Sequence, residues 1–222
     1  MGLVGSRFVD LSFALEDGMP AWPGVLPEAR IGPILDHDAS RPRYEGKAEF
    51  YLGRVDISVN TGTYLDSPFH RHRDREDLAG LPLERLAGLD GVVVDAPEEP
   101  GPVELPLPPD AVAGRAVLFR SGWHRRWGTD AYWDPDPWLS SAALDVLIDA
   151  GAALVGVDWS NVDDTTDPVR PAHTRLLEAG VLIVEHLRGL ERLPLDGFRF
   201  FAVPPRIARG ASFPVRAFAE LP

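Results

Sequence analysis

The sequence predicts a mixed α/β fold, a single domain over residues 1–222 with a parallel βαβ core in its C-terminal half. Three observations carry this. Residues 116–184 run strand, helix, strand, helix, strand with short turns. The strands of that series are short apolar runs, as expected where both faces are buried. The strand-like runs of the first half look antiparallel, so a purely doubly wound sheet is not expected.

In chain order, Phe8–Leu15 and Gly53–Val59 read as strands and Val92–Asp95 as another. Ala96–Asp110 (APEEPGPVELPLPPD) reads as a proline-laden surface loop. Ala116–Phe119 is the first apolar run of the core. Ser140–Ala150 opens on a good helix N-cap, and Gly151 follows where the helix should stop. Leu154–Val157 is the next strand. Pro171–Ala179 reads as a helix with proline near its start and Gly180 as its C-cap, and Val181–Val184 closes the series. Ligands of such sheets collect beyond the carboxyl ends of the strands. Here those ends carry Ser121, Trp123 and His124, then Asp158 and Trp159, then Glu185 and His186.

Composition removes several function classes. Lysine and arginine number 22 against 34 acidic residues, a net charge of −12, which disfavours non-specific binding of nucleic acid or anionic membrane. The absence of cysteine excludes a disulfide framework, a zinc ribbon, a thiol nucleophile and an iron–sulfur site. No run approaches the roughly 18 apolar residues of a membrane span, and the start lacks a secretory pattern. A cytoplasmic protein is expected. Ser121–Gly122 lacks a G-x-S-x-G elbow. Asp163, Asp164 and Asp167 lack the glycine and distal glutamate of a calcium loop and read as a turn.

Val59–His72 (VNTGTYLDSPFHRH) is the most informative stretch. Val55, Ile57 and Val59 alternate with Asp56, Ser58 and Asn60, the period of a half-buried strand. A chain that stays extended places Asn60, Gly62, Tyr64 and Asp66 on one side. Gly62 then leaves room for a close approach to the backbone. Pro68 ends the strand, and His70 and His72 follow. An aspartate and histidines so placed suit a metal or acid–base site; the plainer alternative is polar turn residues.

Asn60–His70 (NTGTYLDSPFH) resembles the H-x-G-T-H-x-D-x-P-x-H signature of the cyclase family, which contains bacterial kynurenine formamidases and isatin hydrolases. Gly62, Thr63, Asp66, Pro68 and His70 match at the same offsets. Asp10–Pro23 resembles the family's opening block. Ser121–Trp123, Gly156–Ser160, His173–Glu185 and Pro214–Ala217 resemble its later ones. The resemblance implies the family's β/β/α swivelling fold. It also implies metal ligation by Asp66, His173 and Glu185, with His70 as general acid/base. Glu185 follows His173 by the family's twelve residues.

Asn60 and Tyr64 stand where the signature has two further histidines, and an amide and a phenol are poorer donors than imidazole. One divalent ion, zinc or manganese, is therefore expected in place of two. Tyr64 would donate to a developing oxyanion. Trp22, Trp123 and Asn60 would contact substrate, Trp22 lying where the family has an aromatic contact. Two alternatives stand beside this: His37 or His72 restores the missing ligands, or the metal is lost and His173–Glu185 is a buried ion pair. Trp127, Trp133 and Trp138 read as packing for an irregular loop.

By resemblance, the expected activity is metal-dependent hydrolysis of a small amide, lactone or cyclic imide. An arylformamidase-like reaction of tryptophan catabolism is the nearest named example. The expected partners are a small aromatic or cyclic substrate and further copies of the chain, as a homodimer or homotetramer. The rivals are a lyase or cyclase in which His70 and Tyr64 move protons, and a non-catalytic small-molecule binder.

Overall fold

The computed structural model describes residues 7–222. They divide into two compact units, one formed by Thr63–Pro222 with the segment ending at Phe13, the other by Ala14–Gly62. The smaller unit holds β2 (Arg30–Leu35), the short helix α1 (His37–Ser40) and β3 (Leu52–Asp56). The larger begins with β1 (Phe8–Asp10) and continues with β4 (Tyr64–Asp66), β5 (Ala87–Asp95), β6 (Gly101–Val103) and β7 (Ala116–Arg120). Then follow β8 (Pro137–Leu139), helix α2 (Ser141–Asp149), β9 (Leu154–Val157), helix α3 (Pro171–Ala179) and β10 (Leu182–Glu185). Strands β11 (Asp196–Phe201), β12 (Ser212–Pro214) and β13 (Phe218–Glu220) complete it.

Nine strands form one mixed sheet in the order β1-β13-β11-β5-β7-β9-β10-β4-β12. Strands β5, β7, β9 and β10 run parallel, with the crossovers through α2 and α3 that the sequence predicts; the outer pairings are antiparallel. Alternate residues feed opposite faces, as a pleated strand requires. Val117, Phe119, Val155, Val157 and Ile183 pack with Leu144, Leu147, Leu176 and Leu177 of the two helices. Leu118, Leu154, Leu182 and Val184 pack on the other face with Leu65, Leu187 and Phe200. The mixed α/β class is as expected.

The helix boundaries follow from local chemistry. The Ser140 hydroxyl accepts from the Ala143 N–H at 3.1 Å, and Gly180 takes the left-handed conformation (φ 82°) that ends α3.

Several expectations are corrected. The first strand stops at Asp10, short of Leu15. The stretch 96–110 contains β6, paired in parallel with β8. Strand β3 is exposed along its length, not half-buried: among the described residues it pairs only with β2, and Val55 is 59% exposed. Nor does the chain stay extended from Val59 to Asp66. A turn separates β3 from β4, with Gly62 at φ 65°, so Asn60 does not share a strand face with Tyr64 and Asp66. The close approach at Gly62 is real but internal: a Cβ there would lie 2.9 Å from Leu15 Cδ2. Among the described residues no helix is long and apolar enough to cross a membrane.

Candidate metal centre

Strand β4 lies between β10 and β12. Its Tyr64 stands opposite Glu185, and its Asp66 stands opposite Ile183 on one side and Ser212 on the other. Tyr64 and Asp66 are two residues apart on a strand and so face the same way, toward Glu185. His70 follows on the short 3₁₀ turn Pro68–His70, and His173 comes from the first turn of α3. Sheet pairing thus gathers residues that are far apart in the chain.

The imidazole of His173 is the hub. Its Nε2 lies 3.6 Å from Asp66 Oδ2 and 3.6 Å from Glu185 Oε1, and its Nδ1 lies 2.6 Å from Asp163 Oδ2. His70 Nδ1 is 3.9 Å from Asp66 Oδ1 and 3.3 Å from the Ser212 hydroxyl, which donates to Asp66 Oδ1. Glu185 is held at both oxygens: Oε1 accepts from the Val162 N–H at 2.8 Å and Oε2 from the Tyr64 hydroxyl. Asp66, Asp163, His173 and Glu185 are all buried; His70 is 29% exposed at its side chain.

Does this arrangement fit a cation? Asp66 Oδ2 is buried without a hydrogen-bond partner, which is costly for a carboxylate unless a positive charge compensates it. One donor atom each from Asp66, His70 and His173 lies within 4.8 Å of the others. A carboxylate with two imidazoles suits zinc or manganese. Two further buried carboxylates, Glu185 and Asp163, also face His173, and Asp163 is paired with Arg170 as well. The residues fit the ion.

The protonation pattern reflects the same crowding. Burial alone would lower the His173 pKa, but Glu185, Asp163 and Asp66 together raise it to about 10. Burial pushes Glu185 up to about 7, against the opposing pull of His173. Asp66 is held below the usual carboxylate range despite burial, because His70 and His173 stand beside it. Burial lowers His70. In the metal-free cluster a proton on His173 partly supplies the charge that the site calls for.

The other expected residues divide. Trp123 is fully buried in the core, where its indole N–H donates to the Tyr132 carbonyl at 3.0 Å and Arg126 covers its ring, so its contacts are packing contacts. Trp22 and Asn60 belong to the smaller unit, both partly buried. His37 is there too, exposed beside Tyr51. His72 directs Nε2 to the Thr174 carbonyl at 2.9 Å. At the other strand ends, Asp158 accepts from the Ser121 and Gly122 N–H groups, the Ser121 hydroxyl and His124, closing a cluster of its own. Partly buried Phe13, Trp127 and Trp133 form an aromatic group with Tyr132 and His186. Phe13 stacks on Trp127 at 4.0 Å, and His186 lies 5.4 Å from the Tyr64 ring.

Two contributors escape the sequence reading. Asp163 reads as a turn aspartate, yet its side chain caps α3 and holds His173. Ser212 carries no motif; only its closeness to the Pro214–Ala217 block points to it.

A profile of the Cyclase family matches residues 9–164. A kynurenine formamidase of Salinibacter ruber (strain DSM 13855 / M31) is 29% identical over 218 residues, covering 94% of this chain and 95% of that protein. Among solved structures, isatin hydrolase A from Labrenzia aggregata bound to benzyl benzoate aligns with a TM-score of 0.81 at 23% identity, covering 97% of this chain and 93% of that one. Isatin hydrolase A from Ralstonia solanacearum aligns with a TM-score of 0.79 at 25% identity, covering 97% and 92%.

Proposed function

The chain belongs to the Cyclase family, and from that premise we propose that it is a metal-dependent hydrolase of a small amide, lactone or cyclic imide, arylformamidase-like in its chemistry. One observation carries the reading: Asp66, His70 and His173 bring one donor atom each within 4.8 Å of the others, and Asp66 Oδ2 is buried there without a hydrogen-bond partner. The relatives support the substrate class, being a kynurenine formamidase and isatin hydrolases, one of them bound to the aromatic ester benzyl benzoate. The Phe13, Trp127 and Trp133 group beside Tyr64 and His186 suits an aromatic substrate ring.

Asp66, His173 and His70 would hold the ion. When bound, a divalent ion there polarises a carbonyl group and lowers the pKa of water. Glu185, whose Oε1 lies 3.6 Å from His173 Nε2, is the base beside the ion. It takes a proton from the attacking water, whose oxygen bonds to the carbonyl carbon. The C–N or C–O bond then breaks, and the proton passes to the leaving atom. Tyr64 orients Glu185 through its hydroxyl.

The exposure pattern favours a second assignment as well. His70 reaches solvent and can exchange protons with it, whereas Glu185 is fully buried beside His173. In that version Glu185 is the third ligand and His70 carries the proton. Metal content separates the two: if His70 is the ligand, His70→Ala loses the ion and Glu185→Gln keeps it, and the reverse holds otherwise.

The test of the whole reading is metal analysis of chelator-free protein. It is paired with a panel of formanilides, lactones and cyclic imides assayed with zinc or manganese. The expected result is about one equivalent per chain, and turnover that places oxygen from labelled water in the product. Turnover without labelled oxygen points to a lyase, and ligand binding without turnover to a binding protein. The homodimer or homotetramer implied by resemblance is checked by light scattering.

A further inference from the structure

The geometry points to Asp163 as the positioning residue that fixes which nitrogen of His173 faces the cation site, with Arg170 holding Asp163 in turn. This rests on the metal reading above. The two oxygens of Asp163 have separate tasks. Oδ1 accepts from the Ala172 N–H at 2.5 Å, while Oδ2 accepts from the His173 backbone N–H at 3.2 Å and meets ring Nδ1 at 2.6 Å. An ionised carboxylate only accepts, so Nδ1 must keep a hydrogen, and when a cation displaces the second ring proton it is Nε2 that offers its lone pair. Nε2 is the atom that lies 3.6 Å from both Asp66 Oδ2 and Glu185 Oε1. A carboxylate behind a ligand imidazole fixes both its tautomer and its ring orientation.

Arg170 is built into the same device. It immediately precedes α3 and adopts the left-handed conformation (φ 51°), which is strained for a residue other than glycine. Its Nε, buried without a hydrogen-bond partner, lies 3.5 Å from Asp163 Oδ2, and its Nη2 donates to Asn161 Oδ1 at 3.0 Å. Asn161 Oδ1 also accepts from the Asp163 N–H at 3.0 Å. Arg170 and Asn161 together hold Asp163 in the pose that presents it to His173.

The informative substitution is Asp163→Asn. An amide has one acceptor, whereas the site offers only donors on both sides. If its oxygen caps Ala172, its NH₂ faces Nδ1, moves the ring hydrogen to Nε2 and blocks the lone pair. Asp163→Ala removes the bond to the Ala172 N–H and the contact to Nδ1 together, and so sets the full loss against which Asp163→Asn is read. Folded wild-type and variant chains are titrated with Mn²⁺, free Mn²⁺ being followed by electron paramagnetic resonance, and the Co²⁺ absorption band gives a second readout.

Both Asp163 variants are expected to bind Mn²⁺ about 10–100-fold more weakly than wild type and to shift the Co²⁺ band. Arg170→Gln is expected to weaken binding by roughly threefold or more, and it carries the test should the Asp163 variants fail to fold. Variants that bind within twofold of a binding wild type overturn the positioning role and leave the metal reading intact. A wild type that takes up neither Mn²⁺ nor Zn²⁺ overturns both.

Discussion

Tyr64 and Glu185, far apart in the chain, are directly opposed across the β4–β10 pair, and the phenol donates its hydrogen to the carboxylate. Both side chains are buried, so losing this bond leaves Glu185 Oε2 without its hydroxyl donor, away from water. Removing it with Tyr64→Phe should cost about 1–3 kcal/mol of stability, the usual penalty for a buried acceptor left unpaired. The same change should raise the pKa of Glu185 further, because the hydroxyl now lowers it. Urea unfolding checks the first expectation; a loss below about 0.5 kcal/mol would contradict it.

Metal should stabilise the fold by mass action. At free Zn²⁺ or Mn²⁺ a hundred times its dissociation constant, the gain expected is about 2.7 kcal/mol. Chelation with EDTA should remove that gain and abolish hydrolysis, and re-addition should restore both. His173→Ala should unfold at the same midpoint with or without added ion. Thermal unfolding with and without metal provides the measurement.

A separate group sets a pH dependence. Asp136 is buried beneath Ser160, whose N–H and hydroxyl donate to Oδ2 at 2.7 and 2.6 Å. Burial nonetheless raises its pKa from 3.8 to about 6. Because the folded state holds the proton more tightly than the unfolded chain, stability is fully present below about pH 4 and falls as pH rises through 6. The loss at neutral pH is about 3 kcal/mol at most. Asp136→Asn should therefore be more stable than wild type at pH 7, with the difference vanishing near pH 4. Denaturant midpoints across pH 4–7 report it, and a flat difference would rule out this origin.

Packing at the centre of the sheet should tolerate no addition at Gly156. A Cβ there would lie 2.6 Å from Leu187 Cδ1 and 2.7 Å from Leu118 Cδ2, and both leucines are fully buried. Gly156→Ala should cost about 1–3 kcal/mol by overpacking. The expected sign is a lower unfolding midpoint, and an unchanged midpoint would mean that the leucines repack freely.

What the sequence made legible was local. Ser140, Pro171 and Gly180 mark helix ends through their own backbone chemistry, and the apolar runs at 116, 154 and 182 mark strands that neighbours cover on both faces. Asp66, His173 and Glu185 are picked out by family spacing, and both carboxylates lie 3.6 Å from His173 Nε2. The rest depends on partners that no window contains. Strand β3 has the alternation of a half-buried strand but, among the described residues, only β2 beside it. Strand β6 lies in a proline-rich stretch and finds its partner at β8. Asp163 looks like any turn aspartate until α3 folds back onto it, and Ser212 meets Asp66 only because β12 is an edge strand beside β4.

The order in which the chain is polymerised has a bearing on how the centre is filled. Asp66 and His70 leave the ribosome more than a hundred residues before His173, and Ser212 emerges later still. Until His173 is made, the chain therefore holds only two of the three converging donors, Asp66 and His70, and the set closes late in synthesis.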